Sequence, residues 1–374
     1  MIIMQNGSVW TCGLNSDGEL GIPSVKHFSN TFGQAVASGA IALAAGTSHS
    51  IVVKQDGSVW ITGSQRDLDD IREFHFVQII HGAKAAAAGT HHSMVLTQTG
   101  SVWTFGWNRF GQLGDGTYAE KNSFEKVMSS DAKAVAAGHV HSIVLKVDGS
   151  VWATGWNKNG QLGDHTTLRR NSFVQVMHTG AKAVAAGGYH SLVLKQDGTV
   201  WATGWNQYGQ LGICAGTDWN AYREVSENAK AIAAGTRHSV VLKQDGSVWT
   251  TGHSLQGQTG DVSGTAQRCE FVLTISGGAE AVAAGGYHSM VLGRDGFIYA
   301  AGSNRYGQLG CGMDLDVVRT FVRVAYVGNG ALEDILSHHC ALENPYFQLV
   351  SILTTNRFII LRSLAYLLIG FLSE

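Results

Sequence analysis

The chain is short of proline, charge and clustered cysteine, and each shortage removes a class of protein. Only Pro23 and Pro345 occur in 374 residues, and charged residues make up 14% against a usual ~25%. The 26 Lys and Arg are nowhere clustered, and the formal net charge is −2, so the electrostatic footprint of a nucleic-acid binder is missing. The five cysteines (Cys12, Cys214, Cys269, Cys311, Cys340) are scattered, odd in number and show no Cys-x-x-Cys pair. That excludes a zinc ribbon and fits a reducing compartment. A basic segment followed by an apolar stretch is lacking at the N-terminus, so secretion is not expected and a cytoplasmic or nuclear location is. Gly-x-Ser-x-Gly, P-loop and His-Glu-x-x-His signatures are absent too. No catalytic residue, metal or cofactor is therefore expected.

Glycine is abundant, at 48 residues, and it falls in phase with a repeat. Trp10, Trp60, Trp103, Trp152, Trp201 and Trp249, then Tyr299, follow one another at spacings of 50, 43, 49, 49, 48 and 50 residues. His49, His92, His141, His190, His238 and His288 precede the last six by a constant 11 residues. Insertions thus fall outside the block from His to the aromatic residue, which is the rigid part of each unit. A regular period of this length outranks any local reading.

Inside the block, His141–Lys146 and Ser150–Thr154 are short runs of β-formers separated by Asp148-Gly149. Such a pair predicts a hairpin with a type I′ turn, which needs φ > 0 at both central residues. On that reading Thr99-Gly100 is the weakest copy, since Thr disfavours φ > 0. Upstream, Ala134–Gly138 is too short for a helix, and its small side chains suit a strand crowded around a central axis. Downstream, Ser172–Met177 alternates and supplies a fourth strand. The expected fold is all-β: a seven-bladed β-propeller of four-stranded antiparallel blades over residues 1–343, with a short non-repeat apolar tail at 344–374. Beyond Pro345 the tail turns apolar, and Arg357 and Arg362 interrupt its apolar run. Docking on the propeller is preferred there to a membrane contact.

Three motifs recur together: Ala-Ala-Gly-x-x-His-Ser, Asp-Gly-x-Val-Trp and Asn-x-x-Gly-Gln-Leu-Gly, the last ending in Gln112–Gly114, Gln161–Gly163, Gln210–Gly212 and Gln308–Gly310. Across residues 1 to 326 they resemble the regulator of chromosome condensation repeat. That resemblance implies a seven-bladed ring and non-enzymatic work. One family member is an exchange factor for a Ran-type small GTPase, with a dedicated inserted hairpin and a basic tail. The units here stay within 43 to 50 residues and leave no room for a comparable insertion. A monomeric protein-interaction scaffold using one loop face is the first expectation, and guanine-nucleotide exchange is the alternative.

The first unit begins after its inner strand would have ended, so closure from the C-terminal side is expected, with residues 331–337 as donor. Glu333 and Asp334 would then stand where two alanines belong, which is costly in a crowded strand. The in-phase histidines (His49, His92, His141, His190, His238, His288) are read as structural, bonding neighbouring backbone. Trp60, Trp103, Trp152, Trp201 and Trp249 are read as packing between blades. The acidic run Asp67, Asp69 and Asp70 is read as a solvated loop.

One position is not dictated by the fold. After the x-x-Gly that ends the aromatic strand come Leu14, Ser64, Trp107, Trp156, Trp205, His253 and Ser303. Three successive units carry Trp there, which predicts a partner-binding arc of Trp107, Asn108, Arg109, Phe110, Trp156, Lys158, Trp205 and Tyr208, beside Arg305 and Tyr306. Exposed Trp, Tyr and Arg are the composition of interface hot spots. Packing of each Trp between blades is the competing reading.

Overall fold

The computed structural model describes residues 1–25, 27–64, 73–214, 216–313, 315–328 and 331–333. The acidic run at 67–70, residues 334–337 and the 344–374 tail lie outside them. Seven antiparallel sheets follow one another along the chain and form the blades of a propeller. Blade 4 shows the plan: inner strand Ala132–Ala137, second strand His141–Lys146, third strand Val151–Gly155 and outer strand Arg170–Met177. Blades 2 to 6 each have four such strands; among the described residues blade 1 has three and blade 7 has five.

The hairpin between second and third strands forms, but not with the expected turn. Gly149 donates to Lys146 O at 3.1 Å and Lys146 to Ser150 O at 2.9 Å, which encloses the three residues Val147-Asp148-Gly149. Gly149 alone takes positive φ, at 80°; Asp148 does not. This is a type I turn closed by a left-handed glycine, the usual three-residue hairpin. Asp148 is chosen for its carboxylate, which accepts from Ser150 N and Oγ at 2.8 and 2.6 Å. Thr99 is therefore under no strain at the same place.

Blades meet through apolar side chains. Ile143, Leu145 and Val151 of blade 4 pack with Ala181, Val184 and Val193 of blade 5, and Trp201 of blade 5 leans on the cluster. Trp60, Trp103, Trp152 and Trp249 pack in the same sense against the preceding blade. All five indoles are half-buried. Four carry the ammonium of a second-strand lysine over the ring at 3.6 to 4.5 Å, and Lys126 from the outer strand covers Trp103 at 5.2 Å.

Closure of the ring differs from the expectation. Residues Ala331–Glu333 do not enter blade 1 as its inner strand; they pair antiparallel with the outer strand of blade 7, Gly328 opposite Ala331 and Tyr326 opposite Glu333. A segment two residues away folds back on the strand it has just left, and Glu333 is kept out of the crowded inner layer. Blade 7 and blade 1 instead join by packing: Ile2, Met4, Cys12 and Phe32 share a core with Leu292, Ile298, Leu309 and Val318.

The cysteines also depart from their sequence reading. Cys214 and Cys269 form a disulfide, 55 residues apart in sequence, because a loop of blade 5 lies against the outer strand of blade 6.

Candidate partner-binding face

The antiparallel path of each blade fixes which loops share a face. Turns between inner and second strands, and loops between third and outer strands, emerge at one end of the ring; the Asp-Gly hairpins emerge at the other. The tryptophan arc and the residues just before each motif histidine therefore lie on one face.

Beneath that face the histidines make a ring. His49 Nε2 contacts Ser93 Oγ at 3.0 Å, and His92 meets Ser142, His141 Ser191, His190 Ser239 and His238 Ser289 at 2.9 to 3.0 Å. Each serine belongs to the next blade, so the partner is a side chain and not the expected backbone. Ser142 Oγ in turn donates to Gln112 O at 2.7 Å, as Ser191, Ser239 and Ser289 do to Gln161, Gln210 and Gln258. A hydroxyl has one proton, so each of these four serines must accept from an Nε2–H of the histidine. Nδ1 of His92, His141, His190 and His238 is buried without a hydrogen-bond partner. Burial first, and then neighbouring imidazoles, lower these four rings to about 3. Gly138 explains the motif glycine: a Cβ there would stand 2.2 Å from His141 Cε1.

Above the ring, the expected arc resolves into two aromatic groups. In the first, the His91 and Trp107 ring centroids lie 6.1 Å apart, Trp107 and Phe110 5.2 Å, and Phe110 crosses to Trp156 of the next blade at 4.5 Å. In the second, Tyr189 meets Trp205 at 5.7 Å, Trp205 meets Tyr208 at 5.2 Å, and Tyr208 crosses to His253 at 4.8 Å. Trp107, Trp156 and Trp205 are half-buried, as are Phe110 and Tyr208, so each packs on a neighbouring ring and still presents surface. Arg109 and Lys158 are exposed beside them. Arg305 and Tyr306, also exposed, lie on blade 7, where the guanidinium covers the Tyr306 ring at 6.0 Å.

Asn108 does not belong to a contact surface. It is fully buried, its Nδ2 donates to Asp115 Oδ1 at 3.0 Å and Ala119 O at 2.9 Å, and its Oδ1 accepts from Leu113 N at 3.0 Å. Asn157 repeats the pattern toward Asp164, Leu168 and Leu162. The motif asparagine shapes its loop from within, which is why it recurs while its neighbours vary.

Sequence reasoning missed His91, His139, Tyr189, Arg237 and His253 as members of this face. Four of them fill the variable pair in Ala-Ala-Gly-x-x-His, and that variability inside a constant motif was the available signal. His139 Nε2 reaches Thr236 Oγ1 at 3.2 Å, past the side-chain-free Gly188 of the blade between. Arg237 lies over Tyr208 at 5.0 Å and Trp205 at 5.6 Å. Burial, then the Arg237 charge, lowers both His139 and His253.

The regulator of chromosome condensation (RCC1) repeat model matches residues 99–145, 148–194 and 197–242, and a second model of that repeat matches 83–112, 132–161, 181–210, 229–258 and 280–308. A search of curated proteins finds no match. Among solved structures, human WBSCR16 is similar with a TM-score of 0.76 and 21% identity, over 85% of this chain and 93% of that one. Prp20p of Saccharomyces cerevisiae is similar with a TM-score of 0.75 and 22% identity, over 86% and 87%. These likenesses, at low identity, concern the fold. Repeat matches over more than half of the chain and seven sheets in a ring place the protein in the regulator of chromosome condensation repeat family.

Proposed function

We propose that this protein is a protein-interaction scaffold that engages its partner through the face carrying Trp107, Phe110, Trp156, Trp205 and Tyr208. The carrying observation is that these half-buried rings occupy positions the fold leaves free to vary, with Arg109 and Lys158 exposed between them. Large rigid rings ordered by edge-to-face contacts give up little conformational entropy on binding, which is what makes Trp, Tyr and Arg dominate interfaces. Nucleotide exchange on a small GTPase is the second reading. Its support is the fold likeness to Prp20p, a protein whose binding to Gsp1p and histones has been described.

Proximity labelling with the full chain and with its Trp107→Ser, Trp156→Ser, Trp205→Ser triple variant tests the first reading. Proteins labelled by the parent and lost in a folded triple variant are the expected result. An unchanged set of labelled proteins rejects this face. A GDP-release assay over a panel of small GTPases tests the second, and acceleration by the parent chain would replace scaffolding with exchange.

A further inference from the structure

Arg237 stands apart from the other half-buried arginines among the described residues, Arg170 and Arg268, which pair with Asp164 and Asp261 at 2.7 and 2.5 Å. Arg237 forms no ion pair among the described residues. Its Nη1 donates to the neutral Tyr208 hydroxyl at a long 3.4 Å, and its Nε is buried with no hydrogen-bond partner. Asp218, a loop carboxylate of blade 5, is committed to Asn206 N at 3.0 Å and to Asn159 Nδ2 at 2.8 Å. Its guanidinium carbon lies 5.6 Å from the Trp205 centroid and 5.0 Å from that of Tyr208, and burial, then its charge, lowers both His139 and His253, so neither neighbour offsets it. At the equivalent position the other blades carry Ser48, His91, Val140, Tyr189 and Tyr287, so the ring itself does not require a cation there.

A guanidinium with no carboxylate partner is under-satisfied in the unbound protein, and a carboxylate meeting its terminal nitrogens matches the fork with two charge-assisted bonds. We propose that Arg237 is the specificity residue of the binding face and receives an Asp or Glu side chain from a protein partner. The rings of Trp205, Tyr208 and Tyr189 form the wall against which an apolar neighbour of that acid packs. This assignment rests on the reading of the face as a protein-binding surface and narrows it to an acidic segment. Arginine recognises planar carboxylates by geometry as well as charge, so lysine is no substitute.

The test pans a displayed library of random twelve-residue peptides against the full-length protein, and then measures the best binder as its Asp or Glu form, its Asn or Gln form and its phosphoserine form. The expected result is enrichment of an acidic residue beside an apolar one. Affinity should fall at least tenfold on Arg237→Gln for the acidic peptide, less than threefold for the amide peptide, and recover only in part with Arg237→Lys. Loss of binding in the Trp107, Trp156 and Trp205 triple variant marks the peptide as a ligand of this face. If the selected peptides bind that variant unchanged, the proposed face is wrong and this assignment falls with it. Peptides that need the tryptophans but carry no acid, or that bind R237Q as well as the parent, overturn the Arg237 assignment alone. Tighter binding of the phosphoserine form transfers the site to phosphate and overturns the carboxylate. Should R237Q fail to fold, the acid-to-amide comparison on the parent chain decides by itself.

Discussion

The junctions between blades 2 and 7 and the junction between blades 7 and 1 solve one problem in two ways. In the first group, every neighbouring pair is tied by a histidine reaching a serine of the next blade. Thr154, Thr203 and Thr251 add hydroxyl bonds to Gly111, Gly160 and Gly209 of the blade before, at 2.8 to 2.9 Å. At the seam, among the described residues, no serine of a next blade receives His288, and Cys12 occupies the threonine position with its Sγ 3.5 Å from Gln308 O. The seam keeps the close approaches that the other junctions also have: a Cβ on Gly307 would stand 2.3 Å from Asn30 Cα and one on Gly310 2.3 Å from Phe32 Cε2, as one on Gly212 would from Phe271 Cε2. Buried polar pairs fix the angle between blades because they work in one geometry only, whereas apolar packing closes the circle without demanding a matching partner.

Acid should have the largest effect, and it reaches the seam as well, where burial lowers His288 to about 4. His49, His92, His141, His190 and His238 are fully buried, and their pKa values are lowered from 6.5 to about 4 for the first and about 3 for the others. Unfolding restores the ordinary value, so below pH 6.5 the unfolded chain takes up protons that the folded chain refuses. Stability is intact above that pH and falls as pH drops from 6.5 towards 4. Five such groups give a slope of about 7 kcal/mol per pH unit, comparable with the whole stability of a domain. Circular dichroism across pH 7 to 4 should show cooperative unfolding well above the carboxylate range. A fold still intact at pH 4.5 would contradict the neutral ring.

His141→Ala removes one polar junction. Loss of its hydrogen bond and the cavity left behind should cost about 3 kcal/mol in urea titrations. Metal content should not change, because Nε2 is engaged by Ser191 and no group of three or more His, Cys, Asp or Glu side chains among the described residues could hold an ion. Covalent reinforcement comes next. Cys214→Ser should cost about 2 kcal/mol, the low end for a bridged loop, and protease cutting should rise between residues 205 and 218 before any other loop. The smallest effect belongs to the seam: His288→Ala, at a half-exposed site, should cost about 1 kcal/mol. If His288→Ala proves as costly as His141→Ala, the seam is held by an unrecognised polar contact and the comparison fails.

Much of the architecture was readable because the repeat writes the same physical instruction seven times. A constant spacing of His and Trp implies one rigid hairpin per unit, and Ala-Ala-Gly is small because Gly138 must let His141 pass. Asn108 was misread for a related reason: it sits between variable residues, and only its three-dimensional contacts reveal an inward-facing amide. The turn type was missed because Asp-Gly names the glycine that takes positive φ but not the number of residues in the loop.

The sequence by itself determined the strand order, the number of blades and the identity of the buried histidines, since periodicity and local turn chemistry act over a few residues. Tertiary structure alone decided how the ring closes, which cysteines meet and which side chains assemble the face. Those outcomes depend on contacts between blades, across 32 residues from Trp205 to Arg237 and 55 from Cys214 to Cys269. The chain brings Arg237 over Trp205 and Cys214 to Cys269 only once neighbouring blades have packed, and no local pattern encodes which loops will then touch.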